Sequence, residues 1–102
     1  VTERHRLSNR RASETFDIES QGLRFTVTAS RYDDGRLGEI FITNHKAGSM
    51  AGINAADAAV VCSIALQYGV PLETIRRALM RDPKGRASGP LAVALDRLEG
   101  EP

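Results

Sequence analysis

Tryptophan is absent, cysteine occurs once, and the aromatic side chains amount to two tyrosines and three phenylalanines. Each shortage excludes something. The lone Cys62 rules out an intramolecular disulfide and any dithiol redox couple within one chain, and it fits a reducing cytoplasm. With so few rings, the core of this 102-residue chain has to be assembled from Ile, Leu, Val and Ala. Charge of one sign is scarce too. The 14 basic and 13 acidic residues leave a formal charge of +1, which gives no global pull toward nucleic acid or a membrane surface. The most apolar run, "AADAAVVCSIAL" over 55–66, is short and carries an acid, and no apolar stretch follows the N-terminal arginines. Neither a membrane-crossing helix nor a secretory signal is therefore expected. The expectation is a single cytoplasmic domain.

What is present falls into segments. Residues 1–12 are polar and basic, with Arg4, Arg6, Arg10 and Arg11 close together, and are expected to form a flexible basic arm. The domain is then expected over 13–99. "ETFDIES" places Phe16 and Ile18 on one face. In "LRFTVTASRY", Leu23, Phe25, Val27 and Ala29 alternate with Arg24, Thr26, Thr28 and Ser30, the pattern of a half-buried strand. "DDGR" at 33–36 signals a tight hairpin, and "LGEIFIT" returns with Ile40 and Ile42 on one side. Three strands joined by short turns form an antiparallel meander.

The period changes at Ala47, Gly48 and Ser49. Ser49 is suited to capping a helix that runs to about Tyr68 and ends at Gly69. A second helix starts near Pro71, with Glu73 in its first turn and Leu72, Ile75 and Leu79 as its apolar stripe. "DPKGRASGP" over 82–90 reads as a loop, and Leu91, Leu95 and Leu98 mark a short closing helix. The fold class expected is α+β: the three-stranded meander followed by two or three helices on one face.

The first helix is apolar nearly all round, Asp57 being its one charged residue. A surface helix on a small domain should carry a polar face, so several sides of this one need cover. A second copy of the chain is the economical supplier, and a homodimer is expected. The small alanines permit close helix approach, and Ala55, Ala59, Cys62 and Leu66 are the interface expected for that contact. Asp57 is expected to pair with a basic residue of another element or subunit.

Other candidates are weaker. His45, Lys46, Gly48 and Ser49 sit at a helix N-terminus, where a small anion or nucleotide would be favoured, but the spacing is not that of a phosphate-binding loop. The bland reading is a strand-to-helix turn. Arg4, Arg6, Arg10 and Arg11 would grip phosphates, which makes nucleic-acid binding an alternative function; no aromatics interleave them for base stacking. No His and Cys spacing indicates a metal. Cys62 is expected to be buried and inert, so no catalytic residue is assigned.

The segments "LSNRR", "YDDGRLGEIFI", "HKAGS" and "LQYGVPLETIRRAL" together resemble the TSCPD domain over about residues 7–98. That module stands at the C-terminal end of adenosylcobalamin-dependent (class II) ribonucleotide reductases and also occurs as short stand-alone bacterial proteins. The Thr-Ser-Cys-Pro-Asp stretch that names the family corresponds here to "GRASGPL", without a cysteine. The resemblance therefore implies kinship to an accessory domain, not possession of the reductase's catalysis. No cofactor is expected for this chain, adenosylcobalamin belonging to the full-length related reductases. The function expected is a non-catalytic interaction or regulatory module, self-associating through the helix over 50–68, with a reductase or another protein as a further partner and no membrane.

Overall fold

The computed structural model describes residues 3–46 and 48–100. Val1 and Thr2 of the expected arm and Ala47 of the expected turn lie outside the described residues. Three strands, β1 (Ala12–Ser20), β2 (Leu23–Arg31) and β3 (Leu37–Asn44), form an antiparallel sheet in the order β1-β2-β3. Three helices follow, α1 (Met50–Gln67), α2 (Leu72–Ala78) and α3 (Pro90–Leu98), giving the α+β arrangement expected from the alternation.

Turn chemistry sets the register. Between β1 and β2 only Gln21 and Gly22 remain, both with positive φ (55° and 78°), as a two-residue hairpin of this twist requires. Between β2 and β3, Gly35 takes φ 92° while its N–H donates to the Tyr32 carbonyl. Across the sheet, Phe16, Val27 and Ile42 lie in one row and Ile18 and Phe25 in another. These rows, with Ala29 and Ile40, make the inward face. The outward face carries Thr15, Thr28, Asp17, Thr26 and Thr43, with Phe41 partly exposed.

α1 begins where expected: the Ser49 hydroxyl accepts the Gly52 N–H at 3.1 Å. It ends at Tyr68, with Gly69 in the left-handed region at φ 94°. α1 packs chiefly on β3 and α3 on β1, closing the core over the inward face. α2 contributes Leu72 and Ile75 from one side, and Leu79, just past its end, completes the stripe read from the spacing.

β3 is an edge strand, and an open edge exposes unpaired backbone groups. α1 closes it with two side chains one turn apart. The Ile40 N–H donates to the Ser63 hydroxyl at 2.9 Å, and the Gln67 carboxamide donates to the Gly38 carbonyl at 3.0 Å. Both side chains are buried. Residues 3–11 have no regular secondary structure and run past the same edge. His5 N–H donates to the Gln67 carbonyl (2.8 Å), the Tyr32 hydroxyl donates to the His5 carbonyl, and Leu7 and the Tyr32 ring close over Gly38. A methyl group on Gly38 would come within 2.6 Å of that ring, so a larger residue there would push the Tyr32 ring and Leu7 aside.

Candidate functional site

The fold divides α1 into two faces, and both are apolar. The inner face is the chain's own core: Ala55, Ala59, Cys62 and Leu66 are all buried against the sheet and α3. This corrects the expectation that these four residues meet a partner. A helix lying across a sheet buries its smallest side chains, because they allow the closest approach of backbone to strand. The outer face is the one turned to solvent. At about 100° per residue, Ile53, Asp57, Val60, Val61 and Ile64 share one arc, with Asp57 near its middle. Val61 is 66% exposed and Val60 46%. Asp57 is also exposed, and no ion pair to it forms among the described residues, so the pairing expected within the chain is not made.

Two apolar clefts flank this outer face. One, of about 520 Å³, runs between α1 and α2 and is lined by Val61, Ala65, Ile75 and Ala78. The other, of about 500 Å³, lies between α1 and the segment entering α3, with Ser20, Phe25, Ala51 and Met80 in its wall. They share Ala58, Leu79 and Leu91, so the apolar surface is continuous. The Ser20 hydroxyl, buried in that wall, has no hydrogen-bond partner among the described residues.

The turn at 44–49 is held by its own groups. The Asn44 carboxamide donates to the Arg24 carbonyl (2.9 Å), and its oxygen accepts the Lys46 N–H (2.8 Å). The Ser49 hydroxyl is occupied in capping, and Gly48 supplies a positive φ of 78°. His45 turns away from this group and reaches Thr26 on the outward sheet face, with Nε2 at 2.9 Å from its hydroxyl. The four residues considered as an anion site do not converge on one point. The arm arginines are divided as well. Arg4 donates to the Gln67 carboxamide oxygen (2.6 Å) and Arg11 pairs with Glu39 (3.2 Å), whereas Arg6 and Arg10 are exposed.

A different charged cluster emerges from the packing. Asp96 on α3 is buried and receives Arg81 through two hydrogen bonds of 2.7 and 2.8 Å and Arg76 through two of 3.1 and 3.0 Å. The Arg81 hydrogen bonds, with those of Arg76, hold the Asp96 carboxyl below its ordinary range despite the opposing effect of burial. Residues 80–88 form a miniature hairpin that positions Arg81: Arg81 pairs with Ala87, Asp82 N–H donates to the Arg86 carbonyl (2.8 Å) and Ser88 N–H to the Met80 carbonyl (3.1 Å). Part of the "GRASGPL" stretch is the return arm of this hairpin. No spacing signal marks the cluster, because Arg76 comes from α2, Arg81 from the hairpin and Asp96 from α3. Cys62 is buried, and burial pushes its thiol up to about 11, so little thiolate forms near neutral pH.

The family model for the TSCPD domain matches residues 3–100. Among curated relatives, a vitamin B12-dependent ribonucleotide reductase of Bradyrhizobium diazoefficiens is 41% identical over 73 residues, covering 72% of this chain and 6% of its own length. The protein of the same name from Agrobacterium fabrum is 41% identical over 71 residues, covering 70% of this chain and 6% of that one. Its counterpart from Rhodopirellula baltica is 43% identical over 72 residues, covering 71% and 7%. The chain thus spans less than a tenth of the length of these relatives. No solved structure matches significantly.

Proposed function

The chain belongs to the TSCPD domain family, and on that premise we propose that it is a non-catalytic interaction module, related to the accessory domain of B12-dependent ribonucleotide reductases, that self-associates through the outer face of α1. The observation that carries this reading is the solvent-facing stripe of Ile53, Val60, Val61 and Ile64 beside the two apolar clefts. A contiguous exposed apolar surface of this kind marks an interaction site, and a symmetric pair is the commonest way of covering one. Reductase chemistry is not assigned to this chain. Radical reduction of that kind draws on several cysteines, and this chain carries a single one, buried in the core. The residues present therefore do not fit the cobalamin-dependent reaction.

A second reading has its own support. In the relatives the matching segment is a small part of a much longer chain, so the same outer face would there have another domain to rest on. Docking onto a reductase body is the heterologous form of the same surface.

Light scattering at micromolar concentration tests the primary reading. A dimer mass is expected for the native chain and a monomer mass for the variant carrying Val60→Glu and Val61→Glu, whose exposed positions leave the core intact. A native chain that is monomeric throughout that range rules out self-association.

A further inference from the structure

A larger cleft than the two beside α1 lies elsewhere, on the side of α3 that faces β1. It has a volume of about 780 Å³, and five arginines (76, 77, 81, 86 and 97) and three carboxylates (Glu19, Glu73 and Asp96) line it. We propose that this cleft binds a phosphorylated small molecule, its phosphate received by Arg77 and Arg86 in the field of Arg76 and Arg81.

Four of the cleft's five arginines are of two kinds, Arg97 being held over the Phe16 ring and donating to the Asp17 carbonyl. Arg76 and Arg81 are fixed by the buried Asp96 carboxylate, which sets their guanidinium groups in place from one side. Arg77 and Arg86 are largely exposed, and their partners are nearby carboxylates, Glu73 one turn back on α2 at 3.5 Å and Asp82 across the hairpin at 2.9 Å. Pairs of that exposure are worth little, so a phosphate bringing more acceptors and more charge exchanges readily for them. Even with Asp82 counted against Arg86, positive charge remains in excess around the cleft.

The rest of the lining indicates the size and nature of the ligand. Ile18, Ala87 and Val93 supply an apolar wall, which suits the organic part of a phosphate ester and does nothing for inorganic phosphate. The volume is that of a small-molecule site. The arginines converge on one cleft instead of tracking along a surface, and the net charge of the chain is only +1, neither of which suits a nucleic-acid strand. The site is separate from the outer face of α1, and its fate does not depend on self-association.

Isothermal titration calorimetry of the full chain at low ionic strength, with inorganic pyrophosphate, ATP and a single-stranded oligonucleotide as probes, tests the proposal. ATP is expected to bind, and more tightly than pyrophosphate because it alone reaches the apolar wall. The variant carrying Arg77→Ala and Arg86→Ala should lose at least about tenfold in ATP affinity, with its thermal unfolding unchanged because both side chains are exposed. Arg6→Ala with Arg10→Ala should leave ATP binding as it is. Absence of heat with ATP, equal affinity of native and Arg77/Arg86 variants, or binding of the oligonucleotide without ATP would each overturn it.

Discussion

The hydroxyl of Ser63 joins α1 to the main chain of Ile40, accepting its N–H at 2.9 Å. The carbonyls of Ile40 and Ala59, each also at 2.9 Å, share the single hydroxyl proton. One small polar side chain in an apolar helix thus satisfies backbone groups that an edge strand would otherwise leave open. Ser63→Ala should therefore lower stability by about 1–3 kcal/mol, the cost of an unsatisfied buried amide. The midpoint of urea unfolding would register it. An unchanged midpoint would mean that water replaces the hydroxyl without loss.

Asp96 ties two arginines from different elements, so its removal should loosen α2 and the 80–88 hairpin together. Asp96→Asn should cost about 2–4 kcal/mol, since two arginines lose their counter-charge in a largely buried setting. Its pH signature follows from linkage. The folded carboxyl titrates below its ordinary value of 3.8, so its contribution is present above that pH and is lost as pH falls through the folded pKa. The native chain should lose stability progressively below about pH 4, and Asp96→Asn should lose less over the same interval. Parallel pH profiles for the two proteins would remove Asp96 from this role.

Cys62 offers a direct probe of burial. Its thiol, raised to about 11 by burial, should react with a disulfide reagent at neutral pH only through opening of the fold. The rate in native buffer should fall far below that in urea, where the ordinary thiol value of about 8.5 returns. Rapid labelling of the native chain would show that α1 detaches from the sheet.

Asp57 tests the geometry of the proposed self-association through the outer face of α1. In a symmetric pair crossing near the middle of the stripe, two Asp57 carboxylates approach each other across an apolar contact. Asp57→Asn should then tighten self-association by about two- to fivefold, the scale of a surface charge interaction. Sedimentation equilibrium would measure it. Weakened association would instead indicate that Asp57 meets a basic group across the contact.

Much of the architecture was legible in local patterns. Alternation in "LRFTVTASRY", the Asp-Gly turn, the Ser49 cap and the glycine after Tyr68 each act over a few residues, and each element they predict is present. The site was far less legible. The apolar helix was conspicuous, yet composition alone could not tell which of its two faces the sheet would take. Packing buried Ala55, Ala59, Cys62 and Leu66 and left Ile53, Val60, Val61 and Ile64 outside.

The sequence by itself determined the order of the elements, the turns between them, the inertness of a lone cysteine and membership of the TSCPD family, because these depend on local backbone preferences, composition and residue identity. Only the tertiary structure decided where chemistry is concentrated. Arg76 and Arg77 from α2, Arg81 and Arg86 from the hairpin and Arg97 from α3 line one cleft, and Ser63 and Gln67 became the closure of a strand edge distant in the chain. The physical reason is range: a turn or a cap is set by neighbours in sequence, whereas a charge cluster or an edge contact exists only after the helices dock on the sheet.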